Sequence, residues 1–166
     1  MNVCIRVKMK SEYIYDTLLY HMYSRLSGFL INMTGLALLM MGGLWLRTER
    51  LTPMQAAGYL LMGAAVLVYT PLSLKLRADK MMKEAKYREE LQYRFSHDGV
   101  QEQIAGHTVR YEWAQVERAV ATPKNIVFYM EGAAVLIFPK EYLQADFMAF
   151  MKLIVANMTR EQVYIR

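Results

Sequence analysis

Residues 26–46 read LSGFLINMTGLALLMMGGLWL and residues 51–74 read LTPMQAAGYLLMGAAVLVYTPLSL, with only Arg47-Thr48-Glu49-Arg50 between them. Neither run contains an ionised side chain. About 20 apolar residues cross the roughly 30 Å hydrocarbon core of a bilayer as a helix. The two runs therefore predict a transmembrane hairpin over residues 26–76, with spans at 27–46 and 54–74.

The first run places Gly28, Gly35 and Gly42 seven residues apart, with Asn32 on the same helical face. Small residues let helix backbones approach, and an amide can hydrogen-bond across the contact. The second run offers Ala57 and Ala64, and also Ala56 and Gly63, at the same spacing. Gly28, Asn32, Gly35, Gly42, Ala57 and Ala64 are read as the face on which the hairpin packs or a partner binds. A homodimer interface is the competing reading.

Basic residues set the expected orientation. Arg6, Lys8, Lys10 and Arg25 precede the first span, Arg47 and Arg50 lie in the loop, and Lys75, Arg77, Lys80, Lys83, Lys86 and Arg88 follow the second span. This excess puts both termini in the cytoplasm. Trp45 then falls at the outer interface and Pro71 near the inner end of the second span. Lys75, Arg77, Lys80 and Lys83 are expected to face lipid headgroups. The net charge of +5 is concentrated there rather than in a nucleic-acid groove. Charged residues within the first 25 positions and no small-residue cleavage pattern after the first run argue against a signal peptide.

The segment 1–25 reads as a strand and an interfacial helix. Val3, Ile5, Val7 and Met9 alternate with Cys4, Arg6 and Lys8, the pattern of a half-buried strand. Ser11 is the expected N-cap. Tyr13, Tyr15, Tyr20 and Tyr23 suit the headgroup level. Residues 77–90 are expected to continue from the membrane as one connector helix, with Leu76, Met81, Ala85 and Tyr87 for partial packing.

Period two returns at Leu91. Leu91, Tyr93 and Phe95 alternate with polar residues, and His97-Asp98-Gly99 makes a turn. Strands follow at Val100–Ala105, at His107–Trp113 with Val109, Tyr111 and Trp113 toward the core, at Val116–Thr122, at Ile126–Met130 and at Ala133–Phe138. Turn signals at this spacing predict an antiparallel sheet or barrel over residues 91–166. Pro139 is expected to open one amphipathic helix with the stripe Leu143, Phe147, Phe150 or Met151, Ile154 and Met158, capping the sheet. Gln162–Ile165 suits a short last strand. The expected class is a membrane protein of α+β type.

Strands followed by one amphipathic helix point to a pleckstrin-homology-like (PH-like) fold. Phe95-Ser96-His97-Asp98-Gly99, then Tyr111-Glu112-Trp113 with Val116, then Pro139-Lys140 leading into Leu143, resemble the YcxB-like family of small bacterial membrane proteins. The shared architecture is a short N-terminal segment, a two-helix hairpin and a small PH-like domain. The resemblance implies a bacterial cell-membrane protein with cytoplasmic termini. It implies no reaction and carries no catalytic residues. In lipid-binding PH domains the loop between the first two strands supplies basic residues for phosphoinositides. Here that loop is His97-Asp98-Gly99 and the nearest cation is Arg94, so binding of that type is not expected. An exposed edge or groove could still accept a peptide.

The remaining residue patterns point to no catalytic, cofactor or metal site. Cys4 is the only cysteine, which excludes an intramolecular disulfide and a thiolate cluster. The 14 methionines read as flexible apolar filling rather than copper ligands. His97 and His107 flank one strand, roughly 30 Å apart at strand rise. Asp98 is explained by its turn and Glu102 by an ordinary sheet face. No Gly-rich phosphate loop occurs. Tyr111 and Trp113 belong to the core side, so a stacking platform for nucleic acid is not expected. The leading expectation is a non-enzymatic, membrane-anchored interaction or regulatory protein that presents its PH-like domain to a protein partner. The alternative is an immunity protein that binds a membrane-active toxin through its spans.

Overall fold

The computed structural model describes residues 2–48, 52–104, 106–132 and 134–165. Glu49, Arg50 and Leu51 of the hairpin loop, Ala105 and Ala133 of the expected strands, the end residues Met1 and Arg166, and the side chains of Ala85 and Arg88 lie outside the described residues. The chain divides into two units, Leu18–Arg77 and Met1–Thr17 with Ala78–Arg166.

The Leu18–Arg77 unit is built on two long helices. The first helix of the chain, α1 (Ser11–Tyr23), enters it from the other unit, α2 is Leu26–Arg47 and α3 is Pro53–Met81. With 22 and 29 residues they extend about 33 and 44 Å at 1.5 Å per residue. Both are long and apolar enough to cross a membrane. A core helix of a soluble protein passes the same test of length and composition, but it is mostly buried. Here only 11% of each apolar window is buried. The start of α3 has a local cause that the hydrophobic pattern hides. The Thr52 N–H donates to Gln55 Oε1 at 3.1 Å and the Gln55 N–H to Thr52 Oγ1 at 3.4 Å. With Pro53 in the first turn, this is a reciprocal N-terminal cap.

The other unit begins with β1 (Val3–Lys8). It resumes with α4 (Ala85–Arg88), β2 (Glu90–Ser96), β3 (Gly99–Ile104) and β4 (His107–Tyr111). It continues with β5 (Val116–Ala121), β6 (Asn125–Met130), β7 (Val135–Pro139), α5 (Lys140–Leu143), α6 (Phe147–Asn157) and β8 (Val163–Tyr164). Two four-stranded sheets result, ordered β1-β2-β3-β4 and β7-β6-β5-β8. All neighbours are antiparallel except β8, which runs parallel to β5. The N-terminal strand is an edge of the first sheet, with Val3 opposite Phe95 and Val7 opposite Leu91. Its alternation is obeyed, because Val3, Ile5 and Val7 are buried and Cys4, Arg6 and Lys8 are exposed.

Aromatic rings join the two sheets to α6. Phe138 meets Tyr93 at 4.9 Å, Phe95 at 5.0 Å and Phe128 at 4.9 Å, while Phe95 meets Phe150 at 4.8 Å. These edge-on contacts contribute beyond area burial, by about 0.5–1.5 kcal/mol per pair. Phe95, Phe128, Phe138 and Phe150 are fully buried.

Several sequence expectations are corrected. Ser11 is the first residue of α1 rather than its cap, and its hydroxyl donates to Asp79. Tyr13 is 4% exposed in the core of the β-rich unit, so it does not stand at a headgroup level. The connector over 77–90 is not one helix. It is the end of α3, a turn at Met82–Glu84 closed by the Glu84 N–H to Met81 O bond of 3.0 Å, and α4. Pro139 opens a helix as expected, as the N-cap of α5, and it also ends β7, an edge strand that does not need its missing N–H. The single C-terminal helix is two, α5 and α6, divided at Gln144–Asp146. On β4 the alternation misleads: Val109 is 43% exposed, because β4 closes the sheet as an edge. Trp113 is buried, but from a 3-10 turn (Trp113–Gln115), where its indole N–H donates to Ser96 O at 2.9 Å.

Candidate functional site

Of the residues expected on a packing face, Gly28, Gly35 and Gly42 are the buried residues of α2. A Cβ on Gly35 would sit 2.8 Å from Leu67, and one on Gly42 would sit 3.1 Å from Leu60 and Tyr59. Gly35 and Gly42 therefore receive α3. Gly28 instead receives the chain ahead of its own helix, 2.3 Å from Met22 O. On α3 only the packing half of the expectation for Ala57 and Ala64 is corrected, because both are exposed and do not meet α2. Ala56 (1% exposed) and Gly63 take the inward positions, with Gly63 against Gly35 O. The reason is the phase of the helix, since the two alternatives differ by one residue and hence by about 100°. Asn32 also departs from expectation. Its amide donates to Gly28 O of its own helix at 2.9 Å, rather than across the hairpin. Trp45 and Tyr59 meet edge-on at 6.1 Å. Glycines engaged in this way are not available to a partner helix.

Lys75, Arg77, Lys80 and Lys83 are all exposed, and none has an ion pair among the described residues.

The β-rich unit carries a groove of about 690 Å³ where the start of α1, the β5–β6 turn and α5 meet. Pro123, Ile126 and Phe147 give it an apolar floor. Its rim is ionic. Lys10 pairs with Glu141 at 3.0 Å and Lys124 with Glu12 at 2.5 Å. The Glu141 carboxylate, aided by the Tyr13 hydroxyl, holds Lys10 above its ordinary value. The Lys124 ammonium holds the Glu12 carboxyl below its own. The Tyr13 hydroxyl and then Lys10 do the same for Glu141. Lys140 is committed inward, donating to Thr122 O at 2.6 Å.

A polar latch joins α1 to the β5–β6 turn beside this groove. Asp16 accepts from the Thr122 hydroxyl at 2.5 Å, from the Lys124 N–H at 3.1 Å and from the Asn125 amide at 3.1 Å. The same amide donates to Tyr13 O at 2.8 Å and lies 3.2 Å from Thr17 Oγ1. Asn125 is wholly buried, so these bonds determine whether α1 starts on the sheet. Sequence reading placed Asn125 in a turn and missed this role. A Thr-Pro-Lys-Asn turn carries no signal for a partner more than a hundred residues away.

Glu102 was also misread. It points inward from β3 and is 2% exposed. Tyr93 donates to it at 3.0 Å, and Lys86 of α4 approaches to 3.3 Å. Burial, and then the Glu102 charge, push the Tyr93 phenol well above its ordinary value. This cluster holds α4 to the sheet. His97 and His107 are exposed at opposite ends of β3, and no group of potential metal ligands exists among the described residues.

The residues that carried the family resemblance prove to be structural. Phe95 and Leu143 are fully buried. Gly99 has φ +143°, and a Cβ there would meet Tyr111 O at 2.1 Å. Trp113 is pinned to Ser96. No curated protein and no solved structure matches the chain. The family described as YcxB-like protein matches residues 95–154, from β2 to α6, so over that stretch the chain is similar to this family.

Proposed function

We propose that this is a non-enzymatic, membrane-anchored interaction or regulatory protein of a bacterial cell membrane. The α2–α3 hairpin spans the bilayer with both termini in the cytoplasm, as the distribution of Lys and Arg favours. The β-rich unit is a PH-like domain, tethered to the inner face, that receives a protein partner in the groove beside α5. One observation carries this reading. The two apolar helices are almost unburied, while the β-rich unit has a complete aromatic core and a groove with an apolar floor and a charged rim. An apolar floor supplies affinity and a rim of fixed charges supplies register and selectivity.

The test is photocrosslinking in native membranes, with the photoreactive group at Gln144 in the groove or at Leu61 on the exposed side of α3. A partner adduct at Gln144 that is lost in Lys124→Glu supports the reading. Adducts confined to Leu61 would overturn it and place the activity in the spans.

A further inference from the structure

We propose that the outward face of β2, β3 and β4 binds a phosphate monoester or a comparable dianionic oxyanion, with Arg94 as its principal ligand. This face lies on the opposite side of the first sheet from the aromatic core. Gln92, Gln103 and Thr108 form one cross-strand row, and Arg94 and Gln101 lie in the next. Together these five residues enclose a concavity of about 110 Å³. It contains one permanent cation, four neutral side chains that can each donate a hydrogen bond, and no carboxylate. A phosphate monoester has three strong acceptor oxygens and close to two negative charges. Arginine is the side chain best suited to such a group, through two parallel N–H donors.

The charge state of the neighbours makes Arg94 distinctive. Arg110, two strands further on in the same row, pairs with Asp98 at 3.4 Å. The side chains of Arg94 and Arg6 have neither an ion pair nor a hydrogen bond among the described residues. Arg6 stands opposite Gln92, and so lies diagonal to Arg94, at about 7–8 Å between backbones. It lines an adjoining concavity of about 250 Å³ that shares Gln92 and Gln103 with the first. The one acid there, Glu90, faces Lys8 in the ladder. The Gln92 amide donates to Cys4 Sγ at 3.1 Å, a weak acceptor that an oxyanion readily replaces.

The oxyanion could belong to a free phosphate compound or to a lipid headgroup, and two probes separate these sources. The full chain in phosphatidylcholine nanodiscs is titrated with inorganic phosphate by calorimetry. Its binding to phosphatidic acid vesicles, whose headgroup is a phosphate monoester, is followed by flotation against pure phosphatidylcholine vesicles. Saturable phosphate binding assigns a free ligand, and retention on phosphatidic acid alone assigns a headgroup. In either case Arg94→Gln weakens binding about tenfold or more and Arg6→Gln about threefold, while Lys152→Gln on α6 leaves it unchanged. Gln103→Leu keeps Arg94, removes one donor and weakens binding by about threefold, so a folding defect in R94Q does not decide the result. No saturable binding of either probe, or undiminished binding in both R94Q and Q103L, overturns the proposal.

Discussion

The Tyr93 hydroxyl donates to the buried Glu102 carboxylate at 3.0 Å, from the inward face of β2 to the inward face of β3. Lys86, 40% exposed, reaches the same carboxylate from α4. Removing the carboxylate leaves the buried Tyr93 hydroxyl without its acceptor, while Lys86 keeps its access to water. Glu102→Ala should therefore destabilise the β-rich unit by about 2–3 kcal/mol. Glu102→Gln keeps an acceptor for Tyr93 and should cost about 1–2 kcal/mol. Denaturation followed by Trp113 fluorescence in a Trp45→Phe background measures both.

The same cluster sets an alkaline limit. Burial raises the phenols of Tyr87, Tyr93 and Tyr111 above 10, with Glu102 adding to each. The folded state thus holds its phenolic protons more tightly than the unfolded state does. The stability linked to these protons is complete below pH 10 and falls as the pH rises from there through the raised values. The melting temperature should decline from about pH 10 upward. Tyr93→Phe, which has no proton to lose there, should make that decline shallower.

How far the fold was legible depended on whether a residue answers to its neighbours in sequence or to distant ones. The runs 26–46 and 51–74 declare their length and apolarity locally, and α2 and α3 follow them. The alternation of Val3, Ile5 and Val7, and the Gly99 turn, are local in the same sense. Ala57 and Ala64 failed because spacing fixes a periodicity and not its phase. The phase comes from Gly35 and Gly42 on the facing helix. Glu102 and Asn125 failed for a related reason. Each looks like a surface or turn residue until Lys86 and Tyr93, or Asp16 and Tyr13, are brought to it by the fold. The groove rim was invisible for the same cause, since Lys10 and Glu141 are joined only by tertiary structure.

Asn125 binds the first turns of α1 to the β5–β6 turn through Asp16, Thr17 and the Tyr13 carbonyl. Asn125→Ala removes the bonds that its amide donates to α1 while Asp16 keeps those from Thr122 and Lys124, and should cost about 1–3 kcal/mol. The loss should be local before it is global. Amide hydrogen exchange should accelerate over residues 11–17 and 121–126, while the β2–β3 hairpin keeps its protection. Uniform acceleration across both sheets would contradict a latch at this position.

The hairpin glycines divide into two groups. A Cβ on Gly63 would sit 2.9 Å from Gly35 O, a backbone atom that cannot turn away. One on Gly43 or Gly58 would meet nothing within 4 Å. Gly63→Val should therefore separate α2 from α3 and lower the melting temperature in mild detergent. Gly43→Ala and Gly58→Ala should leave it unchanged or raise it, because each removes the helix penalty of glycine, about 1 kcal/mol in water. Equal effects at Gly63 and Gly58 would show that the helices do not meet along the Gly35–Gly63 line.

The orientation has a direct chemical test, because Cys4 is the only thiol and lies exposed on β1. With Cys4 replaced by Ser, a cysteine introduced at Thr48 marks the end of α2. The proposed topology puts that position outside the cell and the β-rich unit inside. An impermeant thiol reagent on intact cells should label Thr48→Cys. It should leave a second variant, Lys152→Cys on α6, unlabelled until the cells are broken. Labelling in the reverse order would invert the hairpin. The cations Lys75, Arg77, Lys80 and Lys83 would then face the outer leaflet. That is against the usual bias of basic flanks toward the cytoplasm, so the result would also remove the reason for placing the groove there.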